Sequence, residues 1–426
     1  MKIGIVGAGW AGLAAAVTAA QAGHAVSVFE TARIPGGRAR SLSIIGSEGS
    51  PISVDNGQHI LIGAYTETLR LMRMVGVDPE AALQRLPLTV QFADQGPRGG
   101  LRLPNLPPPW DVLSGILRHP SWPWGERLRL LRAAVGWQLA GFRCDEHLSV
   151  AELCASLGPQ VQAELIEPLC VSALNTPAHR ASAAVFLRVL HDALFTVRGG
   201  SQLLLPRMDL GSLFPQAARQ WLTQHRADLS LGSRVQSLIA QGQGYALDGE
   251  PFDAVLLACS NQEAARLVVP LAPSWSEVAN GLHFEAITTV YAHDPAARLS
   301  APMLALRSGA QTPAQFVFDR GQLGGPPGLL AFVVSASVGE RDTVQAQVLA
   351  QAHQQLGLGD TLRVLQTVVE KRATFACTPG LLRPAARIAP RLWACGDYVA
   401  GPYPATLEGA VRSAQQAVQM MVAQSG

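Results

Sequence analysis

Lys2-Ile3-Gly4-Ile5-Val6-Gly7-Ala8-Gly9-Trp10-Ala11-Gly12 carries the pattern that decides the fold. An apolar run of strand character ends in a glycine-rich turn. Leu13 to Gln21 then reads as a helix and Ala25 to Glu30 as a second strand. Strand, turn, helix and strand in that order make one βαβ unit. Gly7 permits the tight turn, Gly9 lets the backbone approach a pyrophosphate, and Gly12 allows close helix–strand packing. The helix N-terminus, at Trp10 and Ala11, offers unpaired N–H groups and the positive end of a dipole. Glu30 closes the second strand, where a carboxylate accepts hydrogen bonds from a ribose diol. The reading is a dinucleotide site for an unphosphorylated adenosine ribose, as in FAD or NAD.

Composition narrows the rest. A chain of 426 residues has room for two to three domains. Hydrophobic types make up 48% and charged types 15%, below the usual quarter, so much apolar surface needs burial, a lipid or an apolar ligand. Formal charge is +2 with no basic run, which disfavours nucleic acid as a partner. The six cysteines include no Cys-x-x-Cys pair, so neither a metal site nor a disulfide framework is expected, and a reduced, cytoplasmic compartment fits. Lys2 and the small apolar residues after it superficially resemble a secretory signal, but spaced glycines interrupt the run and a strand follows directly. No stretch supplies about 20 strongly apolar residues for a membrane span.

Further along, residues 104–143 are rich in Pro and Trp and lead into a helical pattern at Gly125 to Phe142, with Arg127, Arg129 and Arg132 among apolar side chains. Cationic and aromatic flanks of this kind suit a membrane surface. Residues 148–195 read as a helical cap. A helix is expected around 215–226, with strands at Ser233–Ile239, Gly244–Asp248 and Ala254–Ala258. A second sheet is expected from 283–292, 315–319, 329–336 and 362–370, with a helix at 341–356. A strand at Leu392–Ala394 and a helix from Leu407 to Val422 complete the reading.

Ile34-Pro35-Gly36-Gly37-Arg38 then selects FAD: the sequence resembles the flavoprotein amine oxidase and carotenoid desaturase superfamily, in which a Gly-Gly-Arg segment follows the acidic strand. That resemblance implies that Gly37 and Arg38 wrap FAD, that backbone around Gly57 meets the flavin, and that Val235, in a strand at Gly232–Val235, meets the adenine. It also implies that Gly396 and Asp397 hold the ribityl or pyrophosphate region. Thr406, Leu407 and Ala410 would start a helix aimed at the flavin, where its N-terminus favours the anionic reduced form. One departure is Ser413-Ala414, where the superfamily commonly has Ser-Gly. The implied fold is mixed α/β: a Rossmann-like FAD-binding domain (1–85, 197–265 and 375–426) and a discontinuous substrate domain of mixed sheet plus helical cap (86–196 and 266–374).

A narrower resemblance, to the hydroxysqualene dehydroxylase family, rests on Asp55-Asn56-Gly57-Gln58-His59, Glu167 to Thr176, Arg198-Gly199-Gly200-Ser201, Glu370 to Phe375, and Arg383-Pro384. It implies reductive removal of the hydroxyl of hydroxysqualene to give squalene for hopanoid or other triterpene synthesis. An allylic hydroxyl leaves as water once protonated, and hydride from reduced FAD quenches the allylic cation. His59, Asp55 and Gln58 are the candidate catalytic groups, and His179, His191, Tyr291 and Tyr403 have no assigned place. The expected partners are a long apolar isoprenoid, an electron donor of unknown identity and the inner face of the membrane. Alternatives are a carotenoid or terpenoid desaturase, an amine or porphyrinogen oxidase, and a non-catalytic flavin-binding scaffold.

Overall fold

A computed structural model describes residues 1–96, 99–359 and 361–423. Lys2–Val6 lies between Ala25–Glu30 and Ala254–Leu257, parallel to both. Asp228–Leu231 extends the sheet on one side and Leu392–Ala394 on the other, with antiparallel Arg387–Ala389 at the edge. Parallel strands covered on both faces are apolar throughout, and all of Ala254–Leu257 is fully buried. This doubly wound order places a ligand crevice beyond the carboxyl end of Lys2–Val6.

The first helix runs Trp10–Gln21 and starts three residues before the apolar pattern does, because Gly9 already serves as its N-cap. It packs with the C-terminal helix Leu407–Ala423 in one core, where Ala14, Ala15 and Ala16 meet Ala414 and Ala417, all fully buried. The departure at Ser413-Ala414 is resolved there. Ala414 fits inside this small-residue packing, and Ser413 Oγ accepts a hydrogen bond from Gly396 N–H at 3.0 Å.

The second sheet has the order Met303–Ala305, Phe316–Asp319, Leu329–Ser335, Phe284–His293, Arg363–Phe375, antiparallel throughout. One face, with Val317, Phe332 and Val334, packs on Val344, Val348 and Ala352 of the helix Arg341–Leu356. The other face carries Phe316 paired with Val333, and Ile287 paired with Ser335. Alternation along the strands thereby commits it to a single wall.

The cap is helical over most of 148–195, with two π-helical turns at Gln162–Ile166 and Asp192–Thr196. Asn175 ends the helix Glu167–Leu174 in the left-handed region, at φ 48°. Its side chain donates to Thr374 Oγ1 at 2.9 Å and accepts from Ala336 N–H at 2.7 Å, tying cap to sheet.

Three expectations are corrected. The strand expected at Ser233–Ile239 is Leu238–Gln241, and the segment at Gly232–Val235 is not a strand, its neighbour Asp228–Leu231 being the one in the sheet. Gly232, at φ 71°, turns the chain, and Arg266 donates to the carbonyls of Val235 and Gln236 in place of a ladder. The strand expected at 362–370 continues to Phe375 because Phe284–His293 pairs with it to the end, across two register shifts. The hairpin Ser41–Ile45 with Pro51–Asp55 was not anticipated.

Candidate active site

Beyond the ends of the parallel strands lies a cavity of about 990 Å³, at the upper end of the usual ligand-site range of about 300–1,000 Å³. Part of its wall is the glycine turn, the Gly36-Gly37-Arg38 segment, Gly396-Asp397 and the start of the C-terminal helix. The rest is the inner face of the second sheet, with Ile287, Met303, Phe316, Phe318 and Val333, and the cap, with Leu169, Val189 and Leu194.

The glycines of the turn divide by cause. A Cβ on Gly7, at φ 109°, would stand 2.7 Å from Ala258 O, and one on Gly12 would stand 1.9 Å from Gly7 O. Protein packing alone therefore demands both. A Cβ on Gly9 would meet nothing closer than Gly37 Cα at 3.7 Å, so the bareness there leaves space on the cavity side. No side chain caps the helix that follows, which leaves its first N–H groups for an anion. Glu30 accepts from Ala8 N–H at 2.7 Å and Ala32 N–H at 2.8 Å, which fixes its carboxylate at the cavity edge.

Opposite, Arg38 is ion-paired with Asp397 and donates to Ala373 O at 3.1 Å. Thr406 Oγ1 accepts from Gly409 N–H at 3.0 Å and so starts the C-terminal helix against the cavity. Tyr398 is 1% exposed, lines the cavity, and its hydroxyl has no partner among the described residues. A bare glycine cradle, two helix N-termini and an unpaired buried hydroxyl suit an elongated anionic dinucleotide, so the residues present fit FAD.

Of the residues singled out from sequence, Gly7, Gly9, Trp10, Ala11, Glu30, Gly37, Arg38, Gly57, Gln58, His59, Val235, Gly396, Asp397, Thr406, Leu407 and Ala410 all line this cavity. Gly12 lies behind the turn, and Asp55 is absent from the wall. Asp55 is 2% exposed and turned into the core, where its carboxylate accepts from Leu210 N–H and its carbonyl from Tyr291 Oη, both at 2.8 Å. Burial raises its pKa to about 7, against the Leu210 bond and the charge of Arg320. Gln58 faces the cavity but its amide oxygen is held by Arg320 Nη1 at 3.3 Å.

His59 has Nδ1 2.7 Å from Gly57 O, and burial lowers its pKa, the Gly57 bond opposing. A neutral ring whose Nδ1–H donates to that carbonyl leaves Nε2 as an acceptor. Such a ring does not supply the acid expected of it.

Sequence reasoning missed Tyr65, Arg188 and Asp192, which line the same cavity; Tyr398, part of the Cys395-Gly396-Asp397-Tyr398 motif but given no role, and Tyr403, left without a place, line it too. Tyr291 is core and His179 is exposed. The motifs at Glu370 to Phe375 and Arg383-Pro384 do converge here. Arg383 Nη1 donates to the carbonyls of Asp397 and Tyr403, at 3.2 and 2.9 Å.

Residues 10–422 match the flavin containing amine oxidoreductase family. The chain belongs to that family and is an FAD-dependent oxidoreductase. Within it, the chain is 26% identical over 444 residues to hydroxysqualene dehydroxylase of Zymomonas mobilis, covering 99% of both chains. It is 27% identical, over 98% of both, to hydroxysqualene dehydroxylase of Rhodopseudomonas palustris. An oxidoreductase from Methanosarcina mazei shares the fold, with a TM-score of 0.75 at 16% identity over 98% of this chain and 100% of that one.

Proposed function

We propose that the protein removes the hydroxyl of hydroxysqualene reductively, giving squalene for triterpene or hopanoid synthesis. The observation that carries this reading is a single cavity in which a dinucleotide cradle is continuous with an apolar chamber walled by sheet and cap. The relatives, similar along nearly their whole length, support the same substrate.

Reduced FAD supplies the hydride. Gly7, Gly9, Trp10, Ala11 and Gly12 would hold the pyrophosphate, Glu30 would take the adenosine ribose and Val235 the adenine. Gly37, Arg38, Gly396 and Asp397 would hold the middle of the cofactor, and Gly57, Thr406, Leu407 and Ala410 would hold its flavin end. Segments 1–85, 197–265 and 375–426 make up this FAD-binding unit, and 86–196 and 266–374 the substrate unit. Phe316, Phe318, Ile287 and Val333 exclude water from the reacting carbon, which protects a cationic centre from capture before hydride arrives. Their burial of hydrocarbon is worth about 25 cal/mol per Å² removed from water, which favours a long apolar substrate.

The substrate resides in lipid, and the segment 104–143 suits collection from it. Trp124, Leu128, Val135 and Leu139 recur on one face of the helix Trp124–Leu139, all more than half exposed, with Trp110 close in sequence at 61%. Arg118, Arg129 and Arg132 are exposed beside them. Apolar and cationic groups together favour monotopic docking on an anionic leaflet. Trp122 does not take part: it is buried and donates to Glu164 Oε2 at 2.9 Å. Among the described residues no helix is long and apolar enough to cross a membrane. The six cysteines are free thiols, which fits the cytoplasmic face. Anaerobic conversion of hydroxysqualene to squalene by purified, flavin-reduced protein is the test.

A further inference from the structure

The hydroxyl of hydroxysqualene needs a proton to leave, and neither sequence-derived donor fits: Asp55 faces the core and His59 is a neutral acceptor. The cap side of the cavity holds another group. Arg188, on the helix Ala183–His191, lines the cavity beside the apolar Leu169, Val189 and Leu194, with Nε bonded to Asp192 Oδ2 at 2.8 Å. Its Nη2 donates to Tyr403 Oη at 3.4 Å, and its guanidinium lies over the Tyr403 ring, 5.3 Å from the centroid. Arg412, bonded to Glu408 at 2.7 Å, lies 5.7 Å from the centroid of the same ring. Arg383 holds the Tyr403 carbonyl at 2.9 Å, and His191 Nδ1 lies 2.8 Å from Asp192 Oδ1.

We infer that Tyr403 is the acid that protonates the departing hydroxyl, with Arg188 and Asp192 as its positioning residues. This rests on the dehydroxylase reading. The proton on Tyr403 Oη passes to the substrate hydroxyl oxygen. The C–O bond breaks with its electron pair, water leaves, and hydride from the reduced flavin forms the new C–H bond. The phenolate regains a proton from solvent, and a two-electron donor restores the flavin.

Charge decides between the cavity tyrosines. An acid that releases a proton becomes an anion, and Tyr403 has two guanidiniums near its ring, Arg188 at 5.3 Å and Arg412 at 5.7 Å from the centroid. Tyr65 also lines the cavity, but burial and the neighbouring Glu408 carboxylate both push its phenol pKa up. Tyr398 Oη has no partner among the described residues, whereas Tyr403 Oη accepts from the Arg188 guanidinium. Asp192 fixes the guanidinium so that its fork reaches Tyr403 in a single orientation.

The test compares Tyr403→Phe with wild type in anaerobic single turnovers, following squalene and the return of oxidised-flavin absorbance. The substrates are hydroxysqualene and its acetate ester, whose leaving group needs no prior protonation. Phenylalanine keeps the ring against Arg188 and Arg412, so FAD content and the flavin spectrum stay at wild-type values. With the alcohol the rate falls by about 10²–10⁴-fold, the usual contribution of a general acid. With the ester the variant stays within a few-fold of wild type. An unchanged rate on the alcohol, or an equal loss on both substrates, overturns the assignment. Wild-type protein that leaves hydroxysqualene untouched overturns the dehydroxylase reading, and this assignment with it.

Discussion

The Arg38 guanidinium is ion-paired with the Asp397 carboxylate across 359 residues of sequence, joining the segment after the first βαβ unit to the turn before the C-terminal helix. Both residues line the cofactor cavity, so the pair braces the cradle. Asp397 is 9% exposed and Arg38 about one third. Breaking a fully buried pair costs about 3–5 kcal/mol, and partial exposure reduces this to about 1–3 kcal/mol for Arg38→Met. In urea denaturation of the apoprotein, the double variant with Asp397→Asn should recover part of that loss. Strictly additive losses would show that the two residues do not couple.

Gly9 and Gly12 separate binding from folding. Gly12→Ala places a methyl inside the Gly7 carbonyl and should yield little folded protein. Gly9→Ala meets only ordinary contacts in the protein, so the apoprotein should melt within a few degrees of wild type while FAD affinity drops at least tenfold. Wild-type FAD affinity in Gly9→Ala, measured by fluorescence titration, would place the pyrophosphate elsewhere.

Asp55 makes stability depend on pH. Its folded pKa of about 7 lies above the ordinary 3.8, so the native state keeps a proton that the unfolded state releases between those values. Its contribution to stability therefore falls as pH rises through that window. Asp55→Asn can still accept from Leu210 N–H but does not titrate. Between pH 5 and pH 8 the variant should gain about 2–3 kcal/mol relative to wild type. Parallel stability–pH curves would contradict the buried placement.

The proposed membrane docking rests on a small number of exposed side chains. Trp124→Ser with Leu139→Ser removes two exposed apolar groups, 63% and 84% accessible, without touching the core. Each large side chain contributes about 1.5–3 kcal/mol when fully buried, so flotation with anionic liposomes should weaken at least tenfold. Added salt should weaken wild-type binding through Arg118, Arg129 and Arg132. Unchanged flotation of the double variant would move the docking surface elsewhere.

Local signals made much of this legible. The turn from Gly7 to Gly12 and the acid at Glu30 lie within one βαβ unit, where each residue type has one structural cause. The apolar chamber was hidden because Ile287, Phe316 and Val333 come together only through long-range antiparallel pairing, and alternation alone does not say which face meets the cofactor. Asp55 was misplaced for a related reason. It ends the strand Pro51–Asp55 with its side chain toward the core, and only beyond it does the chain turn Gly57, Gln58 and His59 into the cavity. Arg188 and Tyr403 stand 215 residues apart, and no spacing rule joins them.

The most direct measurement is the anaerobic reaction of purified protein, its FAD chemically reduced, with hydroxysqualene in liposomes, read by gas chromatography with mass detection. The account predicts squalene in proportion to reduced flavin consumed, and none with oxidised flavin. Hydroxysqualene recovered intact while FAD remains bound would contradict it.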